Sequence, residues 1–504
     1  MSIRYCIALL LAGCLTAFAA DAAPKPKPAP GPATVLLPTR SPLITFRLLF
    51  NTGSASDPQG KEGLASLTAA MLSDAGSRTM TYAQINEAMY PMATSFNSQV
   101  DKEMSVFVGT THSDNLERYY TIIRDMVLDP GFREDDFQRV KTDAVNFLKV
   151  TLRSSNDEEL GKEVLYTMIY PPTHPYGHVN AGRVSTLEKL TLDDVRNFYK
   201  QHYTQAALVV GLAGAYPKGF EQRVVADFRK LPAGKAQKVN AAAPAQKPGM
   251  QIQIVQRQTR STAISLGFPI DQVRGQKDWP ALAVVASYLG QHRSSSSYLY
   301  QQLRELRGLN YGDYAYVEYF PQGMYRFEPA PNLGRRSQIF QIWIRPVDPK
   351  NGLFTLRAAL YEYDKLVKNG MSKETFESTR EFLGKYANVL TQTQDAQLGY
   401  ALDSNFYGTP EFPQYMREQL SRLTLEDVNR AIKKYLKSDA MRIAIVTEDA
   451  EGLRKGILSN LPSPVTYTSP KPQSVLEEDK TIQAYTIPAK DADVKVVPAE
   501  QVFE

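Results

Sequence analysis

The sequence predicts an α+β protein built from two similar domains. Two segments recur in the same order: LTLDDV at residues 190–195 returns as LTLEDV at 423–428, and FREDDFQRVK, with Phe137, returns as MSKETFESTR, with Phe376. The offsets of 233 and 239 are nearly equal, as a duplicated domain requires. Between the copies, residues 232–249 lose hydrophobic periodicity and gain Ala, Pro, Gly and Lys, which predicts a linker.

A chain of 504 residues is too long for a single core, and its composition divides it into segments. In chain order we predict a signal peptide at 1–22, a proline-rich spacer at 23–33, a first domain at 34–231, the linker at 232–249, a second domain at 250–460 and a tail at 461–504. The tail is rich in Pro, Lys and Val, so we expect it to lie extended over the surface.

The first 22 residues have the order of a secretory signal. One positive charge precedes an apolar run at 5–18, and small residues follow, with cleavage after Ala19 or Ala22. As an alternative, the segment LAGC resembles a bacterial lipoprotein box and would place a lipid anchor on Cys14. Cys6 and Cys14 are the two cysteines of the chain, so the mature protein has no disulfide or cysteine metal site. We therefore expect export to the bacterial periplasm.

Hydrophobic patterning predicts the elements of the first domain. In chain order they are a strand at 44–51, a helix at 63–72, two strands within 93–110 joined by a turn near Asp101, a long helix from about Arg133 and a buried strand at 207–214. Thr191 and Thr424 stand where helix N-caps belong, and each helix leads to an apolar strand in its own domain.

Several functional classes lack their signature. The net charge of +5 is spread along the chain without a block of Lys and Arg, which argues against nucleic acid as a partner. No Gly-x-Ser-x-Gly elbow, Walker loop or Gly-x-Gly-x-x-Gly occurs. Of five histidines, only His174 and His178 are close, in THPYGH. The intervening proline and glycine prevent a helical pair and predict a turn rather than a zinc site.

The order of motifs resembles the insulinase/pitrilysin (inverzincin) family of zinc peptidases, which includes mitochondrial processing peptidase. The resemblance covers about residues 42–450. It rests on SPLITFRLLFNTGSASDPQGKEGLASLTAAML at 41–72, SFNSQVDKE at 95–103, HPYG at 174–177, LTLDDV at 190–195 and YLYQQLRELRGLNYG at 298–312. It implies two antiparallel-rich domains arranged as a clamshell.

The family's zinc motif is degenerate in this chain. The family helix carries Gly-x-Ala-His-x-x-Glu-His-Met-Leu, so its histidine positions are Ser66 and Ala70 and its glutamate position is Ala69. The third ligand, a glutamate about 77 residues later, falls on Phe147 or Leu148, of which Leu148 continues an apolar stripe. Zinc hydrolysis needs two imidazoles and a carboxylate base. The resemblance thus implies that this chain binds no metal and is inactive alone.

In the family, the C-terminal half supplies an Arg and a Tyr that reach the substrate. The segment LRELRGLNYG retains Arg304 and Tyr311, with Gly308 placed to end the helix in a left-handed conformation before a strand begins. A guanidinium and a phenol both donate hydrogen bonds to a peptide carbonyl. Arg307 is a competing candidate that we expect to face solvent. Alternatively, Arg304 is a surface charge and Tyr311 a half-buried strand residue.

These expectations together describe a non-catalytic, substrate-binding subunit of an exported heterodimeric zinc metallopeptidase. The partner is a paralogous chain with an intact His-x-x-Glu-His that holds the zinc, and the substrate is a peptide or unfolded protein. Such a substrate can pair with an edge strand in the SFNSQV region. Two alternatives remain: a scaffold or peptide-binding protein with no peptidase partner, and a zinc peptidase with unrecognised ligands, which the scarcity of histidines disfavours.

Overall fold

The computed structural model describes residues 31–235 and 238–504. The predicted signal peptide, Cys14 and nearly all of the proline-rich spacer lie outside these residues, as do positions 236 and 237 of the linker. Within the described ranges, no helix is both long and apolar enough to cross a bilayer. The described part of 232–249 contains neither helix nor strand.

Strands and helices occur throughout both halves. The strands are β1 (Ala33–Pro38), β2 (Leu43–Phe50), β3 (Asn97–Val100), β4 (Ser105–His112), β5 (Leu208–Gly214), β6 (Gln251–Gln256), β7 (Thr262–Ile270), β8 (Asn310–Tyr316), β9 (Gln338–Val347), β10 (Arg442–Thr447) and β11 (Val494–Pro498). The helices of the first half are α1 (Leu64–Ser73), α2 (Tyr82–Met89), α3 (Leu116–Leu128), α4 (Glu134–Asn146), α5 (Arg153–Ser155), α6 (Asp157–Ile169), α7 (Val184–Leu187), α8 (Leu192–His202) and α9 (Phe220–Phe228).

The second half, residues 250–504, contains the remaining helices. They are α10 (Trp279–Gly290), α11 (Gly352–Asn369), α12 (Lys373–Leu390), α13 (Gln394–Tyr407), α14 (Phe412–Arg422), α15 (Leu425–Tyr435), α16 (Ala450–Ser459) and α17 (Gln473–Gln483). Two π-helical segments, Phe147–Leu152 after α4 and Tyr300–Glu305 before β8, and several three-residue 3-10 helices accompany the α-helices.

The sheets confirm the duplication. The first half has the strand order β1-β5-β2-β4-β3, and the second has β11-β6-β10-β7-β9-β8, so β6 to β10 repeat β1 to β5 in the same spatial order. The first and last strands of each copy along the chain, β1 with β5 and β6 with β10, pair in parallel. The other neighbouring strands within each copy pair antiparallel. The observed fold is the predicted pair of α+β domains with antiparallel-rich sheets.

The two predicted N-caps are present at matching places. Thr191 and Thr424 each form a capping box, in which the threonine accepts from the backbone of an aspartate three residues later and that aspartate accepts in return. The helices they begin, α8 and α15, lead to the buried strands β5 and β10. The repeated sequence therefore encodes the same local start signal twice.

Each half lends one helix to the sheet of the other. Helix α6 packs on β7 and β10 of the second sheet, and its counterpart α13 packs on β1, β2 and β5 of the first. At the second contact, Leu402 of α13 joins a buried cluster with residues of the first sheet. Strand β2 is buried along nearly its whole length because its sheet is covered on both faces. The reciprocal exchange interlocks the halves.

The tail differs from its expected extended form. Residues 461–504 contain α17 and β11, and β11 pairs in parallel with β6 and so widens the second sheet. Beyond it, Val502 and Phe503 pack into the core of the first half, where Arg153 Nε donates to the carbonyl of Val502. The many prolines of this segment made an extended tail the expected form, and the helical spacing of its apolar residues was missed. Val475 and Ile482, two turns apart on α17, are both buried.

A candidate substrate cleft at the degenerate zinc motif

Helix α1, which carries the degenerate motif, is fixed at its N-terminus by a distant carboxylate. Asp57 accepts from the backbone N–H groups of Gly63 at 2.8 Å and Ala65 at 2.7 Å, which satisfies two donors that a helix start leaves unpaired. Gly63 has φ +99, and an added Cβ would lie 2.8 Å from the carbonyl oxygen of Ala181. The glycine of the family motif therefore keeps a structural role after the metal ligands are lost.

A cleft of about 500 Å³ opens beside this helix. Its floor and near walls come from α1, β3, α4, the π-helical segment Phe147–Leu152 and α6, and its far wall comes from residues 319–333 of the second half. Those residues belong to the connection between β8 and β9, residues 317–337, hereafter the β8–β9 connection. The cleft lies between the halves, where a clamshell protein would enclose a substrate.

Three of the positions aligned with the zinc site face this cleft. Ser66, Ala70 and Phe147 line it, whereas Ala69 and Leu148 are fully buried. The Ser66 hydroxyl donates to the carbonyl of Asn180 at 2.6 Å. The sequence did not decide between Phe147 and Leu148 as the position of the third zinc ligand. Because the Phe147 side chain lines the cleft and Leu148 is buried, Phe147 occupies that position.

These side chains do not fit a zinc ion. A hydroxyl already engaged with the backbone, a methyl group and a phenyl ring offer neither the imidazoles nor the carboxylate that bind zinc. Across residues 31–235 and 238–504, no group of three or more His, Cys, Asp or Glu side chains is arranged to hold a metal.

The cleft is lined by more acidic than basic groups. Its carboxylates are those of Asp74, Asp143, Glu159 and Glu163, and Arg326 is the cation among the described lining residues. Burial raises the pKa of Asp74 and of Glu159, and burial lowers the pKa of Arg326. Glu163 accepts from the phenol of Tyr319 at 2.6 Å. Two of these carboxylates already face a cation, because Glu159 pairs with Lys162 and Asp143 lies 3.9 Å from Arg139. Asp74 and Glu163 are the lining carboxylates that form no ion pair among the described residues, and they favour a cationic group on a ligand.

Strand β3 is the edge of the first sheet, as the SFNSQV segment predicted, and it borders the cleft. Ser98, Gln99 and Val100 all line it. The Gln99 amide donates to the carbonyls of Pro331 at 3.0 Å and Asn332 at 3.1 Å, which ties the edge strand to the β8–β9 connection. An edge strand beside a cleft is suited to pair with an extended peptide.

Buried ion pairs hold the β8–β9 connection against the first half. Arg335 and Asp101 form a two-point contact, with Arg335 Nε 2.7 Å from the Asp101 carboxylate, and both side chains are almost fully buried. The Arg335 guanidinium carbon also lies 3.8 Å from the ring centre of Tyr319. Arg336 pairs with Glu103 beside it. Sequence reasoning missed these residues, although the adjacent arginines of NLGRRS were an available signal.

The predicted substrate pair, Arg304 and Tyr311, forms a contact at the protein surface. Arg304 Nη1 donates to the backbone carbonyl of Tyr311 at 2.7 Å, and its guanidinium carbon lies 4.2 Å from the centre of that ring. Gly308 has φ +69 and ends the helical segment, as predicted. Tyr311 is 55% exposed. Neither residue is among those that line the cleft, so a substrate role for the pair stays a prediction.

Arg307 corrects an expectation. It was expected to face solvent, but it is 1% exposed, and its guanidinium donates to Asp479 at 2.8 Å and Glu478 at 2.7 Å. Both carboxylates belong to α17, which the sequence placed in an extended tail. Because α17 was not predicted, the burial of Arg307 against its two carboxylates was not predicted either.

The two neighbouring histidines lie in a turn, as predicted, and make separate contacts. His174 Nε2 lies 3.0 Å from the carbonyl oxygen of Ala242, and His178 Nε2 lies 3.1 Å from the carboxylate of Asp57. Burial lowers the pKa of His174, which favours its neutral form. His178 therefore supports the carboxylate that caps α1.

Sequence comparisons place both halves in one family. The model described as Insulinase (Peptidase family M16) matches residues 35–169, and the model described as Peptidase M16 inactive domain matches residues 189–383. An uncharacterized zinc protease of Streptomyces coelicolor is 25% identical over 282 residues, which are 55% of this chain and 60% of that protein. One from Rickettsia bellii is 24% identical over 284 residues, covering 56% and 66%. The chain thus spans about three fifths to two thirds of the length of these relatives.

Other similar proteins match over a longer range. The non-peptidase homolog YmxG of Helicobacter pylori is 20% identical over 414 residues, 81% of this chain and 89% of that protein. A peptidase M16 inactive domain from Pseudomonas fluorescens has a TM-score of 0.72 at 22% identity, covering 88% of this chain and 98% of the other. The periplasmic protease PqqL of Escherichia coli has a TM-score of 0.65 at 15% identity, with coverages of 92% and 50%.

The structural likenesses, at these identities, show the shared fold. The family models, in agreement with the sequence motifs, cover both halves of the chain. They show that this chain belongs to the insulinase-like peptidase family M16, with Ser66, Ala70 and Phe147 at the cleft-facing ligand positions of the family's zinc motif.

Proposed function

We propose that this chain is the non-catalytic, substrate-binding subunit of an exported heterodimeric zinc metallopeptidase. One observation carries the proposal: the cleft and its edge strand are retained, while Ser66, Ala70 and Phe147 stand where metal ligands would face it. A cleft that keeps its binding surface and lacks hydrolytic groups is suited to hold a peptide without cutting it. A sister chain with an intact His-x-x-Glu-His would supply the zinc.

The substrate class follows from the lining. Asp74 and Glu163, the lining carboxylates that form no ion pair among the described residues, favour peptides that carry Lys or Arg, and β3 offers a backbone edge to an extended segment. A folded protein does not present such a segment, so the substrate is a peptide or an unfolded region. Contacts from the β8–β9 connection, including Tyr319 and Arg326, would cover it from the second half.

Pairing and export have separate support. This chain matches 50% of the length of PqqL, and the first half of PqqL, solved separately, also resembles it with a TM-score of 0.63. PqqL is long enough to contain two copies of the fold of this chain. A heterodimer would form the same arrangement from two separate chains. The predicted signal peptide at 1–22 supports export to the periplasm, with a lipid anchor at Cys14 as the alternative processing.

The test compares this chain alone with the chain co-purified with a sister that carries His-x-x-Glu-His. We expect no stoichiometric zinc and no cleavage of a quenched Lys-rich peptide by the chain alone, and zinc with cleavage by the pair. Zinc at one per chain with cleavage by the isolated protein would overturn the proposal. That result would instead identify a peptidase with unrecognised ligands.

The predicted pair in the second half is tested in the same assay. Arg304→Ala should lower cleavage by the heterodimer while leaving its assembly unchanged by size-exclusion chromatography, because the guanidinium would no longer donate to the substrate. Arg417→Ala, at an exposed position of α14, is the matched control. Equal activity of both variants would remove Arg304 from the substrate site.

A second candidate function is a peptide-binding protein with no peptidase partner. It is favoured by the position of Arg304 and Tyr311, which contact each other outside the cleft lining. Under this function the isolated chain binds the peptide with full affinity, and adding the sister chain produces neither a complex nor cleavage.

A further inference from the structure

A smaller pocket of about 120 Å³ lies in the second half. It is bordered by α10, β8 and α12, which are the second copies of α1, β3 and α4. These three first-half elements form walls of the cleft. The second-half pocket is therefore the concavity that the duplicated fold builds at the place equivalent to the cleft.

The equivalence holds position by position. Helices α1 and α10 align at an offset of 217, which matches Ala69 and Leu72 with Ala286 and Leu289. At this offset Ser66 and Ala70 in the cleft correspond to Ala283 and Ser287 in the pocket. Phe147 is matched by Tyr386, at the offset of 239 that relates the repeated helices. A pocket that recurs at matched positions follows from the fold, so it is not a packing defect confined to one place.

The same places carry different chemistry in the two copies. Glu163 of the cleft is matched 237 positions later by Tyr400, and the pocket walls are further formed by aromatic rings, among them Trp279, Tyr316 and Phe412. Where the cleft presents the carboxylate of Glu163, the pocket presents an aromatic ring, and most of the pocket lining is apolar or aromatic. Such walls favour an apolar occupant.

The charged residues of the pocket wall neutralise each other. Arg274 donates to both oxygens of Glu318 at 2.8 and 2.7 Å, and its Nη1 lies 3.6 Å from Asp403. Its guanidinium carbon stacks 4.8 Å from the ring centre of Phe412. This arginine is fixed as part of the wall and is already paired, so it is not poised to recruit a charged ligand.

The pocket and the cleft share one residue. Tyr319 of the β8–β9 connection lines both, and its phenol donates to Glu163 on the cleft side. Phe320 lies on the pocket side and Pro321 on the cleft side of the same segment. A ligand that occupies the cleft is therefore separated from the pocket by a single stretch of chain.

We propose that the second-half pocket binds one large apolar side chain, of the phenylalanine or leucine type, of the peptide held by this subunit. The pocket, at about 120 Å³, is somewhat smaller than a cavity of about 150 Å³ that holds one benzene ring, so it has room for at most one large side chain. This inference rests on the proposed peptide-binding function and adds a specificity site to it. The peptide class becomes a basic segment with one large apolar residue.

The test uses two Lys-rich peptides that differ at one position, Phe or Ala, and the full-length chain. We expect the Phe peptide to bind about tenfold more tightly, which corresponds to about 1.4 kcal/mol, because its ring is removed from water in the pocket. Ala283→Phe, which fills the pocket, should abolish this difference and leave the Ala peptide unchanged. Ser66→Phe is the matched substitution in the cleft and should weaken both peptides.

Fluorobenzene, followed by ¹⁹F NMR, tests the pocket without a peptide. It should bind the natural chain and be excluded by Ala283→Phe; Ala283→Leu, a smaller change, gives the same reading if the larger one impairs folding. Equal affinity for the Phe and Ala peptides, or fluorobenzene binding unaffected by either substitution, overturns the proposal. If neither peptide binds while fluorobenzene does, the proposed function fails and the pocket loses its peptide occupant.

Discussion

The cleft of the first half and the pocket of the second are two versions of one concavity, and they differ in one loop and in their linings. The β3–β4 turn spans residues 101–104, whereas the β8–β9 connection spans 317–337 and reaches across to form the far wall of the cleft. The cleft holds about 500 Å³ among carboxylates, and the pocket about 120 Å³ among aromatic rings. A duplicated fold thus fixes where sites form, and side chains decide what each site accepts.

The same comparison explains how a peptidase fold loses its metal without collapsing. Gly63 and the Asp57 cap hold α1 in place, and neither touches the ligand positions themselves. Replacement of the ligands by Ser66 and Ala70 leaves the helix intact because small residues suit a helix that packs against its neighbours. The binding surface and the hydrolytic groups are therefore separable in this fold.

The largest expected effect comes from breaking the contact between the β8–β9 connection and the β3–β4 turn. Arg335→Ala leaves Asp101 as a buried carboxylate without its cation, and we expect a loss of about 3–5 kcal/mol in the free energy of unfolding. Urea unfolding followed by circular dichroism measures it. If the connection were held mainly by other contacts, the loss would be below about 1 kcal/mol.

Two controls sharpen this result. Arg336→Ala removes a partly exposed arginine from the same connection, and we expect a smaller loss. The double replacement Asp101→Asn with Arg335→Met removes both charges and should recover most of the stability lost by Arg335→Ala. A double replacement as unstable as the single one would point to packing of Arg335 on Tyr319 as the dominant contribution.

The edge strands of the two halves should respond differently to pH. Asp313 of β8 is buried, and burial raises its pKa to about 8, whereas the matched residue 217 positions earlier is Phe96. Between pH 4 and 8 the folded state holds this proton and the unfolded state does not, so stability falls as pH rises, by at most about 1.4 kcal/mol per pH unit. Asp313→Asn should remove this dependence.

The measurement is the melting temperature of the two forms across that range. Asp313→Asn should match the natural chain at pH 4 and melt higher at pH 8, because the amide needs no proton and Asn310 remains beside it. Asp364→Asn, at a carboxylate of α11 that accepts from Tyr485, is the comparison variant. Equal gains for both variants at every pH would show that Asp313 is ionised at pH 8 without cost.

The smallest effect compares the two N-caps. Thr191→Ala and Thr424→Ala should each cost about 1 kcal/mol, because each removes an acceptor for a helix-start N–H in the same capping box. Replacing each threonine by serine, which keeps the hydroxyl, should cost less. Differential scanning calorimetry of the four variants tests whether the two capping boxes contribute equally to the free energy of unfolding. A cost confined to one half would show that the repeats are not energetically equivalent.

Local signals in the sequence predicted much of the fold. Thr191 and Thr424 marked helix starts, Gly308 marked a helix end, and the alternation around Asp101 marked a hairpin whose first strand lies at the sheet edge. Each of these depends on a few neighbouring residues, which is why they are readable without tertiary structure.

The missed features depend on contacts between distant segments. Arg307 is buried only because α17 returns from 171 and 172 positions later with Glu478 and Asp479. Arg335 and Asp101 are 234 positions apart. The exchange of α6 and α13 between halves has no local signature either. Partners of this kind become visible only when the halves are assembled.

The central claim is that the cleft holds a peptide and cannot cut it. The most direct test mixes the purified chain with excess zinc and a Lys-rich peptide and measures both binding, by isothermal titration calorimetry, and peptide integrity, by mass spectrometry. We expect saturable binding that Ser66→Phe weakens, with the peptide recovered whole. Cleavage by the natural chain, or binding that Ser66→Phe leaves unchanged, would contradict the account.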